Sequence, residues 1–194
     1  MKKVVILGAT GSVGRIVSKE LEKIPDVYLT LFSRSLKEET IQNKREVVAG
    51  DIYDDKMLTA ALKGADLVFV ALSGDLPTMA TKIISAMKSA AVNRIIFVTS
   101  YGIYGERVGQ NGKVDSILRP YREAADLVEE SGLSYTILRP GWFDNEDTSV
   151  YHLIPKGETV YGNVISRRAI AQFVADCVEN LSQHLKENLA IIRE

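Results

Sequence analysis

The sequence predicts a three-layer α/β Rossmann fold, a doubly wound, mainly parallel sheet with helices on both faces. Short apolar runs rich in branched residues alternate with segments of helical period, as expected of a parallel sheet with crossover helices. The first run leads through a glycine-rich turn directly into an amphipathic helix. Because 194 residues suit one core between two helix layers, we expect one domain over residues 1–194, with a small substrate-side region at about 141–165.

Six core strands are predicted from short apolar runs that end near Gly, Ser, Asp or Pro. They are Lys3–Leu7, Val27–Phe32, Glu46–Val48, Leu67–Ala71, Arg94–Thr99 and Tyr135–Leu138. The tail, residues 188–193, fits either a last strand or a helix. Residues 101–113 and 141–157 show no regular pattern. Because both segments follow strand ends, where open α/β sheets bind ligands, they are the candidate substrate walls.

Apolar residues at helical spacing predict a helix after each of five strands. The first starts at the glycine turn and is closed by Pro25, and the others lie near Asp54–Lys63, Pro77–Ala91, Asp115–Ser131 and Arg168–Leu181. Asp54 is the predicted N-cap of the second of them. The single cysteine, Cys177, falls within the apolar stripe of the last helix, which favours core packing.

Composition narrows the class of protein. The net charge of -1 and 25% charged residues give too little positive charge for a nucleic-acid partner. No apolar stretch approaches the ~20 residues of a membrane span, and no signal-peptide pattern follows Lys2-Lys3. One cysteine excludes an internal disulfide and favours a reducing compartment, so we expect a cytoplasmic protein.

Metal ligands and catalytic acid clusters are not expected. His152 and His184 lie far apart without partner cysteines, and no metal-ligand spacing occurs. The acidic run Asp144–Asp147 lies in a predicted loop, where such runs are usually solvated. We therefore assign neither feature a role in chemistry.

The glycine turn Gly8-Ala9-Thr10-Gly11-Ser12-Val13-Gly14 has the strand and helix context of a dinucleotide-binding motif. Gly8 permits the tight turn, Gly11 lets the backbone approach a pyrophosphate, and Gly14 allows close packing of helix and strand. Thr10 and Ser12 can add hydroxyl donors. Arg15-Ile16 follows Gly14, whereas the phosphate loop of ATPases has Lys-Ser/Thr there.

The residues at the end of the second strand indicate whether the site prefers NAD(H) or NADP(H). NAD-specific sites place Asp or Glu about 20 residues beyond the glycines, whereas this chain has Ser33-Arg34. A guanidinium can pair with a 2′-phosphate and stack on adenine, so NADP(H) is predicted in preference to NAD(H). The alternative is a solvated arginine at a strand end. Arg15 and Lys37 are close enough in sequence to reinforce the same patch.

Two further strand ends are candidates for cofactor contact. After the third strand, Asp51 can accept from the adenine amino group while Ile52 covers the ring; the alternative is helix capping by Asp51 or Asp54. After the fourth strand, Ala71-Leu72-Ser73 offers small residues for close approach to ribose and pyrophosphate. The same residues also suit an ordinary turn.

These motifs, with Ile95–Ser100, the run Ser131-Gly-Leu-Ser-Tyr-Thr-Ile-Leu-Arg-Pro-Gly141 and Ile165-Ser166-Arg167, resemble the atypical short-chain dehydrogenases over nearly the whole chain. Within that family the likeness is to the NmrA-like, NAD(P)-binding branch that includes biliverdin reductase B-like proteins. The resemblance implies NADP(H) across the C-terminal edge of the sheet. It also implies that Pro140, Gly141, Trp142 and Phe143 lie close to the nicotinamide.

The sequence departs from the family at the catalytic pair. Standard members use Tyr-x-x-x-Lys, but here Ala125 stands four residues after Tyr121. Atypical members often have a lysine ten residues before Ser131, and that place is Tyr121 itself. Ser100, Tyr104 and Tyr121 remain candidate polar groups at the nicotinamide, although Tyr121 also fits the apolar stripe of its helix.

Two functions remain open. The first is an NADPH-dependent reductase of a quinone, flavin or conjugated carbonyl, acceptors that need little acid catalysis and suit an apolar pocket; its expected lining is Trp142, Phe143, Leu72, Tyr101 and Tyr104. The second is a regulatory protein that senses NADP(H) and signals to a protein partner. A nucleotide-sugar epimerase is disfavoured because only about 55 residues follow Arg139. Oligomeric state, including a homodimer, stays open.

Overall fold

The computed structural model describes residues 1–36 and 44–193. Its strands are β1 (Lys2–Leu7), β2 (Val27–Ser33), β3 (Arg45–Ala49), β4 (Leu67–Val70), β5 (Arg94–Val98), β6 (Ser134–Pro140), β7 (Trp142–Asp144), β8 (His152–Pro155), β9 (Val164–Ser166) and β10 (Glu187–Ile192). Its α-helices are α1 (Ser12–Leu21), α2 (Asp55–Leu62), α3 (Leu76–Ser89), α4 (Arg119–Glu130) and α5 (Arg167–Glu179).

In these ranges the main sheet has the order β3-β2-β1-β4-β5-β6-β10-β8. Every neighbouring pair is parallel except β10 and β8. Helices α1 and α5 pack together on one face, while α2, α3 and α4 cover the other. This arrangement confirms the predicted Rossmann class, and the strand order reverses between β1 and β4.

The six predicted strands are all present, with small differences at their ends. The prediction that residues 141–157 are irregular is wrong, because β7 and β8 lie there. β7 pairs with β9 and β8 pairs with β10, partners that lie far along the chain, so local pattern could not reveal them. Of the two structures predicted for the tail, the strand is correct: residues of the tail form β10, which pairs with β6.

The helix predictions hold with two corrections. Asp54 caps α2 as predicted, its carboxylate accepting from the backbone N–H of Met57 at 3.0 Å. The segment predicted as one helix from Asp115 instead begins with a short 3₁₀ helix, Ser116–Leu118, and α4 starts at Arg119 with Pro120 in its first turn. Proline is favoured there because its missing N–H is not needed. Helical spacing over Asp115–Ser131 would bury Ile117 on the apolar face, but this residue lies in the 3₁₀ helix and is 77% exposed.

The acidic run Asp144–Asp147 is solvated at Glu146 and Asp147, as expected, since their side chains are 64% and 86% exposed, but it also forms ion pairs that the sequence did not indicate. Arg193 bonds Asp144 at 2.9 Å and also pairs with Glu146, and Arg168 pairs with Asp147. Both arginines come from distant parts of the sequence, so the run itself gave no sign of them. The described residues contain no helix with the length and apolarity needed to cross a bilayer.

Cys177 is fully buried on the core-facing side of α5, as predicted. Burial raises the pKa of its thiol to about 12, although the nearby Arg94 guanidinium opposes the shift. Only the thiolate is nucleophilic. The folded protein therefore holds this sulfur protonated and out of contact with reagents.

We expect native protein to resist an aromatic disulfide reagent at mildly alkaline pH. After unfolding in guanidinium, the same protein should release one equivalent of chromophore, because Cys177 then regains its ordinary pKa and exposure. Rapid stoichiometric labelling of the native protein would contradict this assignment of Cys177 to the core.

Candidate dinucleotide and acceptor site

Two cavities lie along the carboxyl edge of the sheet, where the β1–β4 reversal opens a crevice. The first cavity is lined by residues that follow β1, β2, β3 and β4, together with one from α3: Gly8, Thr10, Gly11, Phe32, Ser33, Arg34, Gly50, Asp51, Ile52, Ala71, Leu72, Ser73 and Met79. The second cavity is lined mainly by residues that follow β5 and β6: Thr99, Ser100, Tyr101, Arg107, Asp115, Ile117, Leu118, Tyr121, Pro140, Gly141, Trp142 and Phe143.

The glycine turn has no room for side chains at two of its three glycines. Gly8 adopts a φ of +92°, and a Cβ there would lie 2.2 Å from the carbonyl oxygen of Ala71. A Cβ on Gly14 would lie 2.2 Å from the carbonyl oxygen of Gly8. The turn therefore packs backbone against backbone, as predicted for close contact between the first strand and the first helix.

The start of α1 is open to an anion. Gly11 is the N-cap, no side chain caps the helix, and the first turn carries no acidic residue. By contrast, α2, α3 and α5 are capped by Asp54, Asp75 and Ser166. The first N–H groups of a helix lack intrahelical acceptors and favour negative charge, so this end suits a pyrophosphate.

Ser12 and Val13 differ in what they can offer there. Ser12 is exposed and begins α1, where a backbone N–H has no intrahelical acceptor. The Val13 side chain packs in the core, which leaves only its backbone N–H for a ligand. Neither side chain lines the first cavity.

A set of hydroxyls lies beside Arg34 at the end of β2. Thr10 Oγ1 and Ser33 Oγ are 2.7 Å apart, and Ser35 Oγ donates to Thr10 Oγ1 at 3.0 Å. Arg34 is exposed, lines the first cavity and has no hydrogen-bond or ion-pair partner within residues 1–36 and 44–193. Sequence reasoning missed Ser35, although it directly follows Ser33-Arg34.

Of the two other basic residues named from the sequence, Arg15 does not line the first cavity. It lines an adjoining surface groove that also contains Thr10 and Ser35 of this hydroxyl set. Lys37 lies outside the described residues. The guanidinium that faces the first cavity is therefore that of Arg34.

The end of β3 forms the far wall of the first cavity. Asp54 caps the following helix, whereas Asp51 Oδ1 accepts from the N–H of Tyr53 at 3.0 Å and remains part of the wall beside the buried Ile52. Phe32, Gly50 and Met79 also line the cavity and were not predicted as site residues. A Cβ on Gly50 would lie 2.5 Å from the Phe32 ring, so the glycine in Gly50-Asp51 was the available signal.

The second cavity has a volume of about 320 Å³ and is mainly apolar and aromatic. It brings together Ser100, Tyr101, Tyr121 and the segment Pro140–Phe143, as predicted. Trp142 is 68% exposed and Ile117 is also exposed, so both are available to a bound ligand. Leu72, expected in this lining, belongs to the first cavity instead.

Tyr104 does not line the second cavity, contrary to the sequence expectation. Its hydroxyl accepts from Asn188 Nδ2 at 2.8 Å, and its ring is covered by Arg122 and Lys156 at 4.4 and 4.5 Å from the centroid. Burial raises the pKa of Tyr104, and Glu129 adds to that shift. The glycines at 102 and 105 turn the chain after β5 so that this side chain enters a buried polar cluster.

No lysine replaces the missing catalytic one among the described residues that line the two cavities. Ala125 is fully buried in the core, so its place in the helix does not face either cavity. Tyr121 is half-buried and does line the second cavity. The Ser100 hydroxyl, also in that lining, donates to the Tyr101 carbonyl at 3.2 Å.

Comparisons with known proteins agree with this site. The sequence model of a family described as NAD(P)H-binding matches residues 8–181. An NAD(P)H azoreductase from Xenophilus azovorans is 29% identical over 143 residues, covering 72% of this chain and 48% of the relative. An isoflavone reductase from Pisum sativum is 28% identical over 159 residues, covering 70% of this chain and 49% of the relative. The chain thus spans about half the length of these curated relatives.

Solved structures match the fold over its whole length. A Rossmann-fold NAD(P)-binding family protein from Shigella flexneri is 36% identical, with a TM-score of 0.87 over 100% of this chain and 94% of that one. A short-chain dehydrogenase/reductase from Veillonella parvula, solved in complex with NADP, has a TM-score of 0.89 and 24% identity over 99% and 94% of the two chains. The second likeness concerns the fold alone.

Proposed function

The chain belongs to the NAD(P)H-binding family, which confirms its kinship with atypical short-chain dehydrogenases, and we propose that it is an NADPH-dependent reductase of a flat acceptor. The acceptor class is a quinone, a flavin or a conjugated carbonyl. The observation that carries the proposal is the pairing of an uncapped α1 N-terminus with a mainly apolar cavity at the same sheet edge.

The first cavity fits a dinucleotide phosphate. Its glycine turn packs so closely that a Cβ at Gly8 or Gly14 would collide with backbone, while the amides opening α1 remain available for a diphosphate. Arg34, with Thr10, Ser33 and Ser35 beside it, offers a cation and hydroxyl donors for a 2′-phosphate. These contacts support a preference for NADP(H) over NAD(H).

The second cavity suits a flat acceptor of modest size. Small-molecule sites begin at about 300 Å³, and the apolar and aromatic lining favours planar rings. When bound, the reduced nicotinamide supplies the hydride. The residues that line the second cavity, including Pro140–Phe143, orient the acceptor and exclude water from it. The likeness to an NAD(P)H azoreductase supports a reductase function.

Proton donation contributes little in this proposal, and Tyr121→Phe tests that point. A positioned general acid contributes about 10²–10⁴-fold to a rate. Because quinones and flavins are readily reduced, we expect Tyr121→Phe and Ser100→Ala each to lower kcat by less than about tenfold. A loss of about 10²-fold or more in Tyr121→Phe would identify that hydroxyl as the acid.

The direct test of function is purified protein with NADPH and a panel of quinones, flavins and enals, followed by loss of NADPH absorbance. We expect turnover with at least one acceptor and a higher kcat/KM with NADPH than with NADH. Tight NADPH binding without turnover of any acceptor would instead support the second candidate, an NADP(H)-sensing regulator. The missing lysine is the observation that favours that candidate.

We also propose that residues 1–194 form one domain in which about 141–165 is the substrate-side region, since Trp142 and Phe143 line the second cavity. The single, buried thiol supports a cytoplasmic location. Limited proteolysis that released a stable fragment would contradict the single domain.

A further inference from the structure

We propose that Glu106 and Arg139 are positioning residues whose buried ion pair joins the two walls of the second cavity. The inference rests on the proposed function, because it concerns how that cavity holds an acceptor. Neither residue touches the cavity itself; each acts through a neighbour in sequence that does.

Glu106 folds the loop after β5 around its own carboxylate. Its Oε1 accepts from the N–H of Gly102 and its Oε2 from the N–H of Tyr104, both at 2.8 Å. Oε1 also accepts from Arg139 Nη1, and the Glu106 side chain is only 6% exposed. The Glu106 carboxylate therefore holds two backbone N–H groups of residues 102–106, while Gln110 Nε2 donates to the Gly102 carbonyl at 3.2 Å.

Arg139 ties that carboxylate to two other segments. Its Nε donates to Asn188 Oδ1 at 2.8 Å in β10, and its Nη2 donates to the carbonyl of Ile154 at 3.2 Å in β8. The side chain is fully buried. Burial lowers the pKa of Arg139 and Glu106 opposes that shift. Arginine nevertheless stays protonated in proteins.

Each partner of the pair is adjacent to a wall of the second cavity. Arg107 follows Glu106 and lines the cavity, with its guanidinium 5.1 Å from the centre of the Tyr101 ring and 2.8 Å from Asp115. Pro140 follows Arg139 and lines the wall that continues from β6. The N–H of Tyr101 donates to the carbonyl of Pro140 at 3.1 Å, so the two walls already meet at one point.

The energetics favour a positioning role. Replacing a buried ion pair by apolar groups is often neutral or stabilising, so such a pair is weak evidence for stability. What an apolar pair cannot do is accept from two backbone N–H groups at once. The specific contribution of Glu106 is thus the shape of the loop that carries Tyr101 and Arg107.

The experiment compares Glu106→Gln with the double variant Glu106→Gln/Arg139→Met. Glutamine has one carbonyl oxygen, so it can hold either the Gly102 or the Tyr104 N–H, and it leaves Arg139 without its anion. The double variant removes the stranded charge. Asp55→Asn, which removes the carboxylate of the Lys82–Asp55 ion pair on α2, is the matched control.

Acceptor binding is read without turnover, as quenching of Trp142 fluorescence by menadione in the presence of NADP⁺; Trp142 is the single tryptophan. We expect Glu106→Gln to weaken menadione binding and to lower kcat/KM by about 10- to 100-fold, the cost of small misplacement in an active site. NADPH binding should change much less than menadione binding in both variants, since the contacts that the first cavity offers to the rest of the dinucleotide stay in place. The control should match wild type in every measurement.

The double variant separates positioning from folding. We expect it to recover the Tm lost in Glu106→Gln while menadione binding stays weak. The proposal would be overturned if the double variant recovered both the Tm and the menadione affinity, or if Glu106→Gln bound menadione as tightly as wild type. If wild type neither binds nor reduces any acceptor, the proposed function fails. In that case the positioning role is tested by acrylamide quenching of Trp142 fluorescence. A changed quenching constant in both variants would support a displaced cavity wall, and an unchanged constant would contradict the positioning role.

Discussion

Gly8→Ala is expected to abolish measurable NADPH binding and to lower the free energy of unfolding by about 2–5 kcal/mol. A left-handed backbone costs an L-residue about 1–2 kcal/mol, and overpacking adds about 1–3. The added Cβ would lie 2.2 Å from the Ala71 carbonyl oxygen, and backbone at the end of β4 cannot turn aside as a side chain could. Relief of the clash must move the turn that receives the pyrophosphate. Isothermal calorimetry and denaturant unfolding measure the two effects.

Gly64→Ala provides the matched control. Gly64 also has a left-handed φ, +71°, but a Cβ there meets nothing within 4 Å. We expect it to cost only the backbone term, about 1–2 kcal/mol, and to leave NADPH affinity unchanged. Equal stability loss in the two variants, or wild-type affinity in Gly8→Ala, would mean that the turn tolerates a side chain.

The fold and the first cavity were predictable because their signals are local. The strand before Gly8, the turn itself and the helix after it are consecutive in sequence, and Ser33-Arg34 follows directly on a recognisable strand. Parallel order then brings these strand ends to one edge. Ten of the predicted cofactor residues consequently line one cavity, although their sequence separation reaches 65 residues between Gly8 and Ser73.

The second cavity was predictable only in part, because its shape depends on pairings between distant segments. Tyr104 sits after β5, where the family places polar residues, yet the Glu106 contacts turn its side chain into the cluster with Asn188. Nothing near Ile117 showed that the helix would start later and leave this residue exposed beside the cavity. The ion pair of Glu106 and Arg139 joins residues 33 positions apart. The hydrophobic periodicity of a short segment gives no information about contacts between residues that are this far apart in sequence.

Arg34→Ala is expected to weaken NADPH binding by about 1.5–3 kcal/mol, the range for hydrogen bonds to charged groups. That range corresponds to roughly 10- to 150-fold in Kd. NADH lacks the 2′-phosphate, so its Kd should change little. Lys88→Ala removes an exposed positive charge in the last turn of α3, outside both cavities, and should leave both affinities near wild type. Titration of each variant with NADPH and with NADH gives the four Kd values that this comparison needs.

The pattern of losses decides what Arg34 does. Equal weakening of NADPH and NADH would indicate stacking on the adenine, which both cofactors share, and would reject phosphate selection. No change in either would identify a solvated arginine at a strand end. Salt adds an independent check, because Arg34 is exposed and exposed charges are screened over about 8–10 Å at physiological ionic strength. If the guanidinium selects the 2′-phosphate, the ratio of the Kd for NADH to the Kd for NADPH should fall in wild type as the salt concentration rises. The smaller ratio of Arg34→Ala should depend less on salt.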